Sequence, residues 1–149
     1  MKRILFFLIL IYFGNFNYVY PDDLKGKKIF CQIDKTPVLG SVNPLNQYIS
    51  FEFKRFSKVR VIQLNPYVGE YLGKESYTKT THNYVTTPTR IYIKKYKDWG
   101  DLTIRRQNLE LTTWGNYVCE IVSKKTNLEK KMDILYKDLL KKVKDKKKI

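Results

Sequence analysis

Tyr48-Ile49-Ser50-Phe51-Glu52-Phe53-Lys54 alternates without a break. Ile49, Phe51 and Phe53 fall on one face. Tyr48, Ser50, Glu52 and Lys54 fall on the other. Successive side chains of an extended chain point to opposite faces, so a period of two marks a half-buried antiparallel strand. Arg55-Phe56-Ser57 is a short connection. Lys58-Val59-Arg60-Val61-Ile62-Gln63-Leu64 then reads as the second arm of a hairpin.

The pattern continues upstream. Ile29, Cys31 and Ile33 share a face, with Lys28 and Gln32 opposite, and Phe30 departs from the alternation. Residues 34–47 contain Pro37, Gly40 and Pro44 and read as a loop. Downstream, Asn65-Pro66 is a turn, and 67–72 is expected to pair again, with Gly69 as a bulge. Ser76 to Val85 is rich in Thr and Tyr and has no apolar face, which predicts an exposed or curled strand ended by Thr87-Pro88. Ile91 and Ile93 point inward from the next strand, and Asp98-Trp99-Gly100-Asp101 is a turn. Leu102 and Ile104 are followed by Leu109 and Leu111, so the apolar parity switches. A one-residue slip would flip every side chain, so the chain must turn or bulge at 105–108. After Trp114-Gly115-Asn116, a last strand sets Tyr117, Cys119 and Ile121 on one face.

The fold class is therefore mainly β, an antiparallel barrel or barrel-like sandwich of about seven or eight strands. The 12 Tyr and 8 Phe support it, since aromatic residues suit pleated surfaces. From Asn127 the period changes. Leu128, Met132, Leu135 and Leu139 recur at helical spacing, with Asn127 as N-cap and Lys on most other positions. This predicts one C-terminal amphipathic helix to about residue 143 and a frayed run over 144–148. Docking on its own domain is the usual role of such a stripe.

The N-terminus has a different grammar. Lys2 and Arg3 precede an apolar run from Ile4 to Phe13, which matches a secretory signal and is too short to span a membrane. Cleavage is expected between Gly14 and Asp22. The division is 1–20 signal peptide, 21–123 β domain, and 124–149 basic helix and tail. The protein is then periplasmic or extracellular, the alternative being an uncleaved N-terminal membrane anchor.

In an exported chain two cysteines predict a disulfide, and Cys31 and Cys119 both sit on apolar-face positions of the first and last strands. Their spacing fits no metal motif. His82 is the only histidine and reads as a solvated strand residue. The acids are scattered singly apart from Asp22-Asp23, and no glycine-rich phosphate loop is present. The sequence thus offers no catalytic, metal or cofactor-binding residues, and a non-enzymatic protein is expected. Tyr92 beside Lys94 and Lys95, and Tyr96 beside Lys97, could form a stacking platform for bases or sugars.

The chain carries a net charge of +15, or +13 without Lys2 and Arg3. Eleven lysines against four acids give +7 from Lys124 onward. Such a balance attracts anionic membrane or acidic polysaccharide. The export signal counts against nucleic acid.

Leu102-Thr103-Ile104-Arg105-Arg106-Gln107-Asn108-Leu109-Glu110-Leu111 and Tyr117-Val118-Cys119-Glu120-Ile121 resemble the C-terminal half of small uncharacterised exported proteins of marine bacteria. The opening Lys25-Gly26-Lys27-Lys28-Ile29-Phe30-Cys31 is similar too. The match covers about a third of the chain, and the resemblance implies a lipocalin-like layout. The Gly-x-Trp signature of true lipocalins is absent near the first strand, which counts against ligand carriage.

Two functions follow. One is an exported binding protein that holds a small apolar or aromatic ligand in the barrel mouth. The other is a structural or envelope-associated module whose basic helix contacts anionic surfaces. A lined interior cavity would favour the first, a side-chain-filled interior the second.

Overall fold

Eight strands follow one another around a closed antiparallel barrel in the computed structural model, which describes residues 21–33, 48–64, 76–96, 100–112 and 116–146. They are β1 (Lys28–Ile33), β2 (Tyr48–Phe53), β3 (Lys58–Leu64), β4 (Tyr77–Thr86), β5 (Arg90–Ile93), β6 (Leu102–Arg105), β7 (Glu110–Thr112) and β8 (Asn116–Val122). A 3-10 turn, Pro21–Leu24, precedes them, and α1 (Leu128–Lys146) follows. The apolar segment 1–20, the pairing expected over 67–72, and the turns within 34–47 and around Trp114 lie outside the described residues.

Each strand pairs with its neighbours in sequence, and β8 returns to pair with β1. That closing register sets Ile29 opposite Ile121, Cys31 opposite Cys119 and Ile33 opposite Tyr117. Ile29, Ile49, Phe51, Phe53, Val59, Val61, Ile91, Ile93, Ile104 and Leu111 fill the interior as one packed cluster. An eight-stranded barrel is just wide enough for side chains to fill. The parity switch is met by a turn at 106–108 and by Leu109 at φ 53°, after which β7 resumes with Leu111 inward.

The helix explains the irregular outer pattern. Phe30, Ile62 and Leu64 point outward yet are buried, because Leu128 and Met132 of α1 pack on them. Leu135 and Leu139 extend the contact. The Asn127 side-chain oxygen accepts from Lys130 N at 3.0 Å and caps the helix. The helix continues to Lys146 instead of ending near 143. Lysine is a good helix former, and cations are favoured at the C-terminal end of a helix dipole.

One end of the barrel is closed by the start of the chain. Leu24 enters the interior cluster, and Gly26, at φ 75°, donates its N–H to Phe53 O at 2.9 Å. The β2–β3 tip, the β4–β5 turn, the 106–108 turn and residues 123–126 share this end. From there α1 runs towards the other end, where Asp133 accepts from Ser76 Oγ at 2.9 Å just before β4 begins.

Candidate functional site

Cys31 and Cys119 are the predicted site residues, and the structure joins them. The disulfide has an S–S length of 2.02 Å and a Cα–Cα separation of 4.0 Å, across 88 residues of sequence. It links the two strands that close the barrel, the one pair of neighbours among the described strands that is not consecutive in the chain. A disulfide of this kind points to an oxidising compartment. No described helix is long and apolar enough to cross a membrane.

Three buried polar side chains lie near the ends of β3, β5 and β8. Tyr96 follows β5, turns into the core and is 2% exposed. Its hydroxyl donates to Gln63 Oε1, and Gln63 is itself buried on β3. Tyr117 of β8 lies in the same cluster. Burial pushes both phenols up from their ordinary value. This corrects one sequence expectation. Tyr96 is a core residue and cannot serve a stacking platform, while Lys97 lies outside the described residues. Tyr92 stays outward, with Lys94 5.4 Å above its ring and paired to Asp101.

β4 outruns its neighbour. Tyr77 to Asn83 pair with β3, and only Tyr84 to Thr86 pair with β5. Thr78 and Thr80 therefore reach solvent from the inward parity, which accounts for the missing apolar face. His82 Nε2 lies 2.8 Å from Thr80 Oγ1, and its ring is 5.2 Å from the Tyr96 ring. Ile121 differs from expectation. It shares the parity of Cys119 but is 59% exposed, because β7 ends its pairing with β8 at Val118 and leaves that stretch uncovered.

The outer wall carries an ion network that sequence reading missed. Glu52 of β2 pairs with Arg60 of β3 and with Lys54 at 2.7 Å, and Lys28 approaches to 3.9 Å. Arg60 also reaches Glu129 of α1 at 3.1 Å, and Lys79 reaches it at 3.4 Å. Burial alone would raise the Glu52 carboxyl, but hydrogen bonds from Lys54 and Arg60 outweigh it and hold it below the usual carboxylate range. The hydrogen bond from Tyr77 does the same for Glu129. A hollow of about 360 Å³ lies beside this network, lined by Lys28, Arg60, Lys125 and Asn127 among others. Another, of about 370 Å³, opens at the barrel seam beside Phe30, Gln32, Val118 and Glu120. The sequence signal was the facing of Glu52 and Arg60 across one hairpin, a pairing that opposite charges favour.

Among the described residues, no three metal-ligating side chains come together, and every buried side-chain N or O has a hydrogen-bond partner. The fold and its surface define a closed eight-stranded up-and-down β-barrel, bridged at its seam and backed by one helix. The chain matches no known protein-family model, no curated protein and no solved structure.

Proposed function

We propose that this protein is an exported, non-enzymatic module of the cell envelope that contacts anionic surfaces through its basic exterior. The observation that carries this reading is the occupied interior. Apolar side chains pack together inside the barrel, and Tyr96, Gln63 and Tyr117 are buried with them. A ligand in the barrel would have to displace them. The cations face solvent instead. Lys130, Lys137, Lys141 and Lys142 are exposed on the helix, whose apolar stripe is used on the barrel. Attraction through the helix is therefore electrostatic and acts over about 8 Å at physiological salt.

The lipocalin-like resemblance supports export and the barrel layout. The disulfide supports an oxidising destination. The test is co-sedimentation with anionic vesicles and retention on an acidic polysaccharide column, each at low and high salt. The expected result is weak, salt-sensitive binding, reduced when Lys137, Lys141 and Lys142 become Gln. Removing all of 124–149 is the wrong variant, since it also strips the wall that α1 covers. Saturable one-to-one uptake of an apolar fluorescent probe, with no binding to either anionic surface, would overturn the reading in favour of an interior ligand.

A further inference from the structure

Phe56 stands at the apex of the β2–β3 tip and is 87% exposed. It adopts φ 58°, and Ser57 after it adopts φ 53°. Consecutive positive-φ residues in a hairpin tip are ordinarily Asn, Asp or Gly, because a side chain with Cβ is strained there. Here the position holds a large apolar ring in water. The ring contributes nothing to the core, and the backbone beneath it would be better served by glycine.

The surroundings are cationic. Lys25, Arg55, Lys58, Arg90, Lys124 and Lys125 are all exposed at this closed end, and none has an ion-pair partner among the described residues. The nearby acids Asp23 and Glu110 are already held by Arg106 and Arg105. Ile121, a second exposed apolar residue, lies one residue before the end of β8 on the same side.

We propose that the closed end docks on an anionic lipid bilayer, with the Phe56 ring among the headgroups and the six cations on the lipid phosphates. This rests on the envelope reading and adds the face that makes contact and what it touches. An apolar ring inside a cationic collar matches an interface that is charged outside and apolar just beneath. A purely polar polyanion would use the collar and leave the ring in water. The helix offers a weaker apolar contact, because Leu128 and Met132 are buried on the barrel and Ile134 is 50% exposed against 87% for Phe56.

The test uses residues 21–149 in the oxidised form, since all eight strands, the helix and the bridge lie within them. Vesicles of phosphatidylglycerol mixed with phosphatidylcholine are compared with phosphatidylcholine alone. Binding is expected only to the anionic vesicles. Phe56→Gly suits the backbone, should melt like the parent, and should weaken binding roughly tenfold. Arg55→Gln and Lys58→Gln should each weaken it roughly fivefold. Phe56→Trp should show a blue-shifted emission on anionic vesicles that the parent lacks.

Binding that ignores these substitutions but falls with Lys137, Lys141 and Lys142 changed to Gln overturns the closed-end proposal and leaves the envelope reading standing. Binding to acidic polysaccharide without binding to vesicles has the same consequence. Binding to neither removes both.

Discussion

The arc from β1 to β3 and the arc from β5 to β7 belong to one barrel but are built differently. On the first arc the strands have six or seven residues, and both faces are covered, by the interior on one side and α1 on the other. On the second arc the strands have three or four residues and only the inner face is covered. Arg90-Ile91-Tyr92-Ile93 accordingly keeps a strict alternation, whereas Val61-Ile62-Gln63-Leu64 does not. The lesson is that loss of alternation in an antiparallel strand reports a second layer, and the departing residues mark where that layer sits.

The largest expected effect comes from removing the second layer. Ending the chain after Lys125 deletes Leu128 and Met132 and uncovers Phe30, Ile62 and Leu64. Each such side chain is worth roughly 1.5–3 kcal/mol of burial, so a loss of at least about 5 kcal/mol is expected in urea unfolding. That is at least about a third of the roughly 5–15 kcal/mol that holds an ordinary domain together. Ending after Val143 keeps all four packing positions and should leave the midpoint unchanged. Equal midpoints for the three chains would show that the β1–β3 arc needs no cover.

Next comes the seam between the arcs. Replacing Cys31 and Cys119 together by Ala should lower stability by about 2–5 kcal/mol, because the bridge closes a long loop in the unfolded chain. Thiol labelling of the oxidised parent should find no free thiol. A loss below about 1 kcal/mol would mean that the β1–β8 pairing holds the seam unaided.

A sharper contrast uses two outward positions. Ile62→Ala, under the helix, should cost about 2–4 kcal/mol, and Tyr92→Ala, on the bare arc, less than about 1. Similar losses at both sites would erase the distinction between the arcs.

The smallest effect is electrostatic. The folded Glu52 carboxyl is held below its ordinary value, so its contribution is present above the unfolded value near 4.5 and fades as pH falls through the lower folded one. Glu52→Gln should flatten the acid limb of a stability-versus-pH curve below about pH 4.5. An unchanged limb would mean that Arg60 and Lys54 contribute nothing through Glu52.

Much of this was legible in the sequence. The run Ile49, Phe51, Phe53 fixed the facing of β2, the parity switch located the 106–108 turn, and the matching faces of Cys31 and Cys119 predicted the bridge. The N-cap at Asn127 and the docking stripe of α1 were legible for the same reason, since spacing alone encodes a local face. Other features depend on what arrives from elsewhere. Phe30 looked like an irregularity because its partners, Tyr48 and the Lys131 ammonium 3.8 Å above its ring, are distant in sequence. Tyr96 looked like an outward aromatic because nothing local foretells its bond to Gln63. Ile121 kept its parity but lost its cover when β7 proved to be three residues long. Phe56 was passed over as part of a short connection, although an aromatic where a hairpin tip wants Gly or Asn was itself the signal.

The seam has a consequence for the order of events as the chain is made. Seven of the eight strand pairings join consecutive strands and can form as each hairpin emerges. The eighth must wait until β8 exists, with Cys31 carrying an unpartnered thiol through the whole interval. Because the sequence holds only two cysteines, oxidation within one chain can make one bridge and no other. The wait therefore carries no risk of a wrong intrachain disulfide. The hazard is instead a bridge between two unfinished copies, and completion of the barrel, which brings Cys119 opposite Cys31, is what removes it.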